Sequence, residues 1–329
     1  CRAAGMVSLG KVALDGTKVR ANASRHKAMS YARLDTKQKV LAQEISDLMA
    51  EAKTVDAAED ARFGRGKRGD ELPVELANRQ RRALAMKTAR ASLEEEAQTK
   101  ARAVAEKKAA DRGDDDDAVT GAGDTAAASA VPKDTAQRNF TDPDARIMKT
   151  ADGSFHYCYN AQAVVDADEQ VIIAAELGNT ATDIQQLVPM VTRTVDTLGA
   201  MPRTWGADAG YCSATNLEHT TGLEGAHQTE FFISTRRMKH GAPVPDAPRG
   251  RIPASATPVD RMARKLKTTR GKEIYARRKA IVEPVFGQIH TRHGKHVQLR
   301  GLDQAAAEWK LLAGCHNLLK LFTYRAKMA

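Results

Sequence analysis

Three carboxylates lie where phosphoryl chemistry would need them. Asp15 sits in "VALDGTKVRA", Asp208 in "TWGADAGY", and Glu283 in "YARRKAIVEPVFGQIH". The first two follow short β-branched or apolar runs, and the third lies among cations on a late helical stretch. Carboxylates at the ends of two core strands, faced by a third from a packed helix, form an all-oxygen cage suited to hard divalent cations. Two magnesium ions about 4 Å apart, with manganese as a substitute, would activate a nucleophile and stabilise a leaving oxygen at a phosphodiester. Each acid also has an ordinary role. Asp15 precedes Gly16 and suits a turn, and Asp208 suits a cap for the segment after it. Glu283 follows Lys279 by four residues and suits a helix-face pair, worth about 0.2–0.5 kcal/mol.

The charge distribution names a partner class. The 329 residues carry a formal net charge of +10. Arg236 to Arg300 alone holds seventeen Lys and Arg against four acids, a density that points to a polyanion. Tyr275, Arg277, Arg278 and Lys279 stand one to two turns before Glu283, where DNA phosphates would be met. No run of eighteen apolar residues exists, so no membrane association is expected. Cys1, Cys158, Cys212 and Cys315 are far apart with no C-x-x-C pair. That disfavours a zinc site or a disulfide framework and fits a reducing cytosol. His26 has no His or Cys spaced for shared metal ligation and reads as a surface or DNA-facing residue. Trp205 and Trp309 read as core, and Cys158 and Cys315 as buried thiols.

The elements that must position these residues follow from periodicity. Residues 11–21 read as a strand, an Asp-Gly turn and a second short strand. Two long polar helices, broken at "GRGKRGDELP", form a helical hairpin insertion over 31–112. The acidic, aromatic-free segment 113–136 reads as a disordered linker. Order resumes with a hairpin ("FHYCYNAQAVVD", "QVIIAAELG"), then a helix opened by a Thr/Asp cap at "TDIQQLVPMVTRTVDTLG". Strands at "RTWGADAGYCS" and "EFFIST" and a long helical region from Asp260 to Lys327 complete a mixed α/β sheet. Residues 1–30 thus start a core that 137–329 completes. Pro284 lacks the N–H for the Ala280 carbonyl, a cost of about 3 kcal/mol in a helix interior, so a kink or fresh helix start is expected at Val282–Pro284. Phe286 is expected beneath the acids and His290 at their edge, reaching for a phosphate.

"VALDGTKVRANAS", "FTDPDARIM", "YNAQAVVD", "ADAGY", "YARRKAIVEPVFGQIH" and "LRGLDQAAAEWKLLAGCHNLLKL" together resemble bacterial insertion-sequence transposases of the DDE class. They occur in the family's order and cover most of residues 10–325 apart from the insertion. The resemblance implies a ribonuclease H-like mixed sheet with flanking helices and a catalytic, metal-holding triad at Asp15, Asp208 and Glu283. It implies DNA cleavage at transposon ends and strand transfer, a homodimer on DNA, and a bacterial cytoplasmic, nucleoid-associated setting. It also implies that a Tyr-Arg-Glu-Lys signature, here Tyr275, Arg278 and Glu283, contacts the transposon end. His290 stands where the family has lysine, and a mostly neutral ring gives a weaker, pH-dependent phosphate contact. A catalytically inactive DNA-binding remnant and a nuclease without strand transfer are the rival readings. The chain opens at Cys1, and a preceding helical DNA-binding segment is expected to be missing.

Overall fold

The computed structural model describes residues 1–24, 27–63, 74–236 and 250–328, without the side chains of 51–63, 74–77 and 328. His26 and the break at "GRGKRGDELP" lie outside the described residues, as does most of the Pro-rich basic loop before residue 258. Two compact units are formed, one from Cys1–Asn22 with Asp144–Ala329 and the other from Ala23–Pro143.

The first unit is built on a mixed sheet. β1 (Lys11–Arg20) is central, antiparallel to β5 (Phe155–Asp166) on one side and parallel to β7 (Thr204–Ala207) on the other. β8 (Glu230–Ile233) extends the parallel side. β4 (Arg146–Lys149) and β6 (Ile172–Gly178) both pair antiparallel with the outer edge of β5. The order β6-β5-β1-β7-β8, antiparallel only at β5, is the ribonuclease H-like arrangement. β1 runs unbroken through Asp15 and Gly16, which corrects the expected Asp-Gly turn. Gly16 stands opposite Gln162 in register, and a Cβ there would overlap the Gln162 amide and crowd Asp183 and Asn160. This glycine serves close packing in a strand and not a reversal.

Alternation along β1 sends Val12 and Leu14 to one face, where they join Val164, Leu187, Met190, Val191, Trp205, Tyr211 and Phe231 in a buried cluster. α4 (Leu187–Leu198) supplies three of these and ends at Gly199 with φ 64°. α5 (Ala214–Ala226) follows β7, capped by Ser213; nothing in its weak periodicity announced it. On the other face, Ala13, Ala161 and Ala163 are fully buried. Their small side chains admit α7 (Thr269–His293), whose inner side carries Ile281, Val282, Val285, Phe286 and Ile289. α6 (Pro258–Lys267), opened by a Thr257–Asp260 capping box, precedes it, and α8 (Leu302–Met328) follows. Trp205 and Trp309 are core residues, each 1% exposed. Cys158 is buried, whereas Cys315 is only partly so.

α7 continues through Pro284, which corrects the expected break. The Ala280 carbonyl, left without its intrahelical donor, accepts instead from the Gln170 side chain at 3.0 Å. Gln170 sits at the β5–β6 turn with φ 55°, where its own carbonyl meets His316 Nε2 and its Oε1 accepts from Lys320.

The second unit holds α1 (Tyr31–Phe63), α2 (Val74–Arg112) and α3 (Asp116–Ala128), with β2 (Ala28–Ser30) antiparallel to β3 (Gln137–Asn139). Leu34 and Leu41 pack against Met86, Ala89 and Leu93 between α1 and α2. α3 overturns the expected disordered linker. Asp115 caps it by accepting from Ala118 N at 2.8 Å, Asp116 and Asp117 fill its first turn, and alanines end it. Gly123 lets it lie against Glu106 of α2, and Arg102 pairs with Asp124 at 2.8 Å.

Because the first unit has its own core, joining Asn22 to Asp144 through a short Gly/Ser linker is expected to leave a cooperatively unfolding protein. Thermal melts by circular dichroism check this; a sloping, non-cooperative melt would mean that the insertion is needed for folding.

Candidate active site

The parallel register of β1 with β7 pairs Leu14 with Ala207. The next residue on each chain is an aspartate, so Asp15 and Asp208 are brought side by side. Burial raises the Asp15 pKa; the nearby charges of Arg278 and Asp208 act in opposite senses, and the net direction is up. Asp15 Oδ1 accepts from Gly16 N at 2.8 Å. Asp208 also fills its ordinary role, capping a single 3-10 turn (Ala209–Tyr211) by accepting from Gly210 N at 2.7 Å.

Arg278, expected to face DNA, is buried instead, at 6% exposure. Its Nη1 donates to Asp15 Oδ2 at 2.6 Å, and the Asp15 side chain is itself 17% exposed. Gly206 makes the approach feasible, since a Cβ there would stand 3.3 Å from Arg278 Cγ. Arg278 Nε is buried without a hydrogen-bond partner, and the guanidinium carbon lies 5.8 Å from the centre of the Tyr275 ring. Burial works against the Arg278 charge, but Asp15 beside it outweighs that and raises its pKa.

Glu283 is not gathered with these groups. Its side chain is 59% exposed and its described ion pair is with Lys279, at 4.0 Å, the geometry of a helix-face pair. Lys279 and Arg277 are exposed on the same helix. His290 turns inward: its ring stacks on Phe286 at 6.3 Å, which in turn meets Trp309 at 6.2 Å. His290 Nε2 is buried with no hydrogen-bond partner among the described residues. Burial, then Lys295, lowers its pKa.

A carboxylate not singled out in the sequence also lies here. Asp183, expected to cap the helix that follows, makes no cap hydrogen bond. Its Oδ1 accepts from Lys18 at 3.2 Å, Asn160 at 2.7 Å and Gln162 at 2.9 Å. Its Oδ2 and Asp208 Oδ1 both lie about 3 Å from the point where Gly210 would carry a Cβ, at 3.0 and 2.9 Å. Gln162 extends this network by accepting the Tyr211 hydroxyl proton, and its backbone carbonyl accepts from Trp309 Nε1 at 3.1 Å. Burial, then the charges of Asp183, Asp15 and Asp208, push the Tyr211 pKa well up. The polar side chains in "YNAQ" were the available signal, because Asn and Gln in a fully buried strand need partners.

Asp15 and Asp208 fit a hard divalent cation. Both offer oxygen, and their mutual repulsion next to a buried wall is relieved by positive charge. Among the described residues no group of three or more His, Cys, Asp or Glu side chains is arranged to hold a metal, so the fit rests on these two.

Two outcomes follow from the packing. Gly16→Ala is expected to lower stability by about 1–3 kcal/mol in urea unfolding, because the added methyl overpacks the Gln162–Asp183 network. Gly222→Ala, in open space on α5, is expected to be neutral or stabilising. His290 has a folded-state pKa below its ordinary 6.5. Above that value it is neutral in both states and contributes nothing. As pH falls below it, the unfolded chain takes the proton more readily and stability is lost. The drop in Tm from about pH 7.5 to about pH 5.5 is therefore expected to shrink in His290→Phe. It should not vanish, because His316 is shifted the same way by burial.

A family model for the transposase DDE domain matches residues 135–318, more than half of the chain. No curated protein and no solved structure matches. The match takes in β5, β7, Asp208, the whole of α7 and most of α8, and β1 supplies Asp15 from outside it. With the sheet order and the two adjacent aspartates, this chain belongs to the transposase DDE domain family.

Proposed function

We propose that the protein cuts DNA at the ends of a mobile element and joins the freed ends to target DNA. The observation that carries this reading is the adjacency of Asp15 and Asp208 at β1 and β7 in a transposase DDE domain. Such domains act on DNA and normally use a divalent metal. Asp15 and Asp208 would hold the cation, magnesium in this reading, with two ions engaged during the reaction. When bound, the cation supplies Lewis-acid stabilisation of the attacking and leaving oxygens. Glu283 is the third carboxylate of the proposal. It is free to join because its long, exposed pair with Lys279 holds it weakly.

The chain's own residues then position DNA. Arg277 and Lys279, exposed on α7 beside Glu283, take the phosphates on either side of the scissile bond, and Tyr275 packs against the backbone next to them. In the first step a water oxygen attacks phosphorus, its proton passes to solvent, and the 3′ oxygen leaves as a hydroxyl. In the second, that 3′-hydroxyl attacks a target phosphodiester, forming one P–O bond as another breaks. The number of phosphodiesters is conserved in the second step, so no energy source is required. Catalysis is mainly positioning and charge stabilisation.

Asp208→Asn and Glu283→Gln are each expected to reduce magnesium-dependent cleavage of element-end DNA by at least about 100-fold. DNA binding should change little, because neither removes positive surface. Cleavage at the wild-type rate by Glu283→Gln would leave the glutamate as a helix-face residue. Cleavage without strand-transfer product in the wild type would make the protein a nuclease.

A further inference from the structure

Both oxygens of the Asp15 carboxylate already accept hydrogen bonds. Oδ1 takes the Gly16 N–H and Oδ2 takes Arg278 Nη1 at 2.6 Å. A divalent cation on Oδ2 would face the guanidinium across one oxygen, and their repulsion in a poorly solvated wall opposes its binding.

The pair is nevertheless built to be reached. Gly206, in the middle of β7, leaves room for the Arg278 stem, since a Cβ there would stand 3.3 Å from Arg278 Cγ. The pair is also built incompletely. Arg278 gives Asp15 a single described hydrogen bond and not the two parallel bonds of a forked pair. Its Nε stays buried without a hydrogen-bond partner among the described residues, an unmet cost that a fully formed structural pair does not carry. The guanidinium carbon already lies 5.8 Å from the centre of the Tyr275 ring, a contact it can keep when it lets go of Asp15.

We propose that Arg278 is a placeholder cation: it neutralises Asp15 in the metal-free protein and yields Oδ2 when a divalent ion arrives, so that the site loads by exchanging one cation for another. This rests on the reading of Asp15 as a metal-holding residue. It makes Arg278 a positioning residue that holds the Asp15 carboxylate in place between reactions. Once displaced, its guanidinium keeps its place beside the Tyr275 ring, on the helix that also presents Arg277 and Lys279.

The test is calorimetric titration of the full chain with Mn²⁺, in wild type, Arg278→Met, Arg278→Lys and Asp15→Asn, with melting temperatures in EDTA and in saturating Mn²⁺. Arg278→Met is expected to bind Mn²⁺ about tenfold more tightly or better, since a competing charge is gone. In EDTA it should melt below wild type, and Mn²⁺ should raise its Tm more than it raises that of wild type. Arg278→Lys, which keeps the charge and most of the stem, is expected to fall between. Affinity equal to or weaker than wild type in the Arg278 variants, with binding lost in Asp15→Asn, would overturn the placeholder while leaving the metal site standing. If Arg278→Met does not fold, Arg278→Lys decides by the same criterion. Binding by Asp15→Asn equal to wild type, or no binding by wild type, would remove Asp15 as a metal holder and the exchange with it.

Discussion

The parallel pairing of β1 with β7 is the constraint on which the site depends. Its backbone hydrogen bonds fix Leu14 opposite Ala207, and a slip of one residue would send one aspartate to the opposite face. That register is in turn held by burial. Val12 and Leu14 are locked into the α4 side, and the alanines on the reverse side fit only beneath α7. The placement of two carboxylates is therefore decided by apolar residues that take no part in chemistry.

The same sheet tolerates a long interruption directly after its central strand. The insertion's first and last segments pair with each other, β2 with β3, and Tyr31 N donates to the Ala136 carbonyl at 2.8 Å. Closure of that loop is met inside the insertion, and loop-closure cost grows only slowly with length once the ends are held. Arg138, 2% exposed, ties this closure to α2 through Ser92 and Glu96, so the insertion carries its own buried polar anchor.

What the sequence made legible was governed by strong local signals. The strands around "YNAQAVVD" and "TWGADAGY", the long helices and the position of Asp15 beside Asp208 followed from alternation, periodicity and motif. What it hid was set by partners distant in the chain. Gly16 looks like a turn residue until Gln162 and Asp183 are placed against it. The acidic run before Ala128 looks disordered until α2 supplies a surface for Gly123. Arg278 looks like one more DNA-facing cation until Gly206 opens a path to Asp15. The same holds for Asp183, whose hydrogen-bond donors come from β1 and β5. Glu283 is exposed and His290 stacks on Phe286 on the same helix, a difference that motif spacing does not carry.

The lateral support of α7 by Gln170 has a consequence for how the helix breathes. Pro284 breaks the ladder of amide hydrogens between the turn bearing Arg278 and the turn bearing Phe286, and the Ala280 carbonyl is held by a side chain from another element. Opening of the helix from either end therefore meets a boundary there. The two halves are expected to exchange their amide hydrogens as separate units, the N-terminal half opening with Phe286 still packed on Trp309. Glu283 lies on that boundary, where the backbone is continuous but the helix's own cooperativity is not.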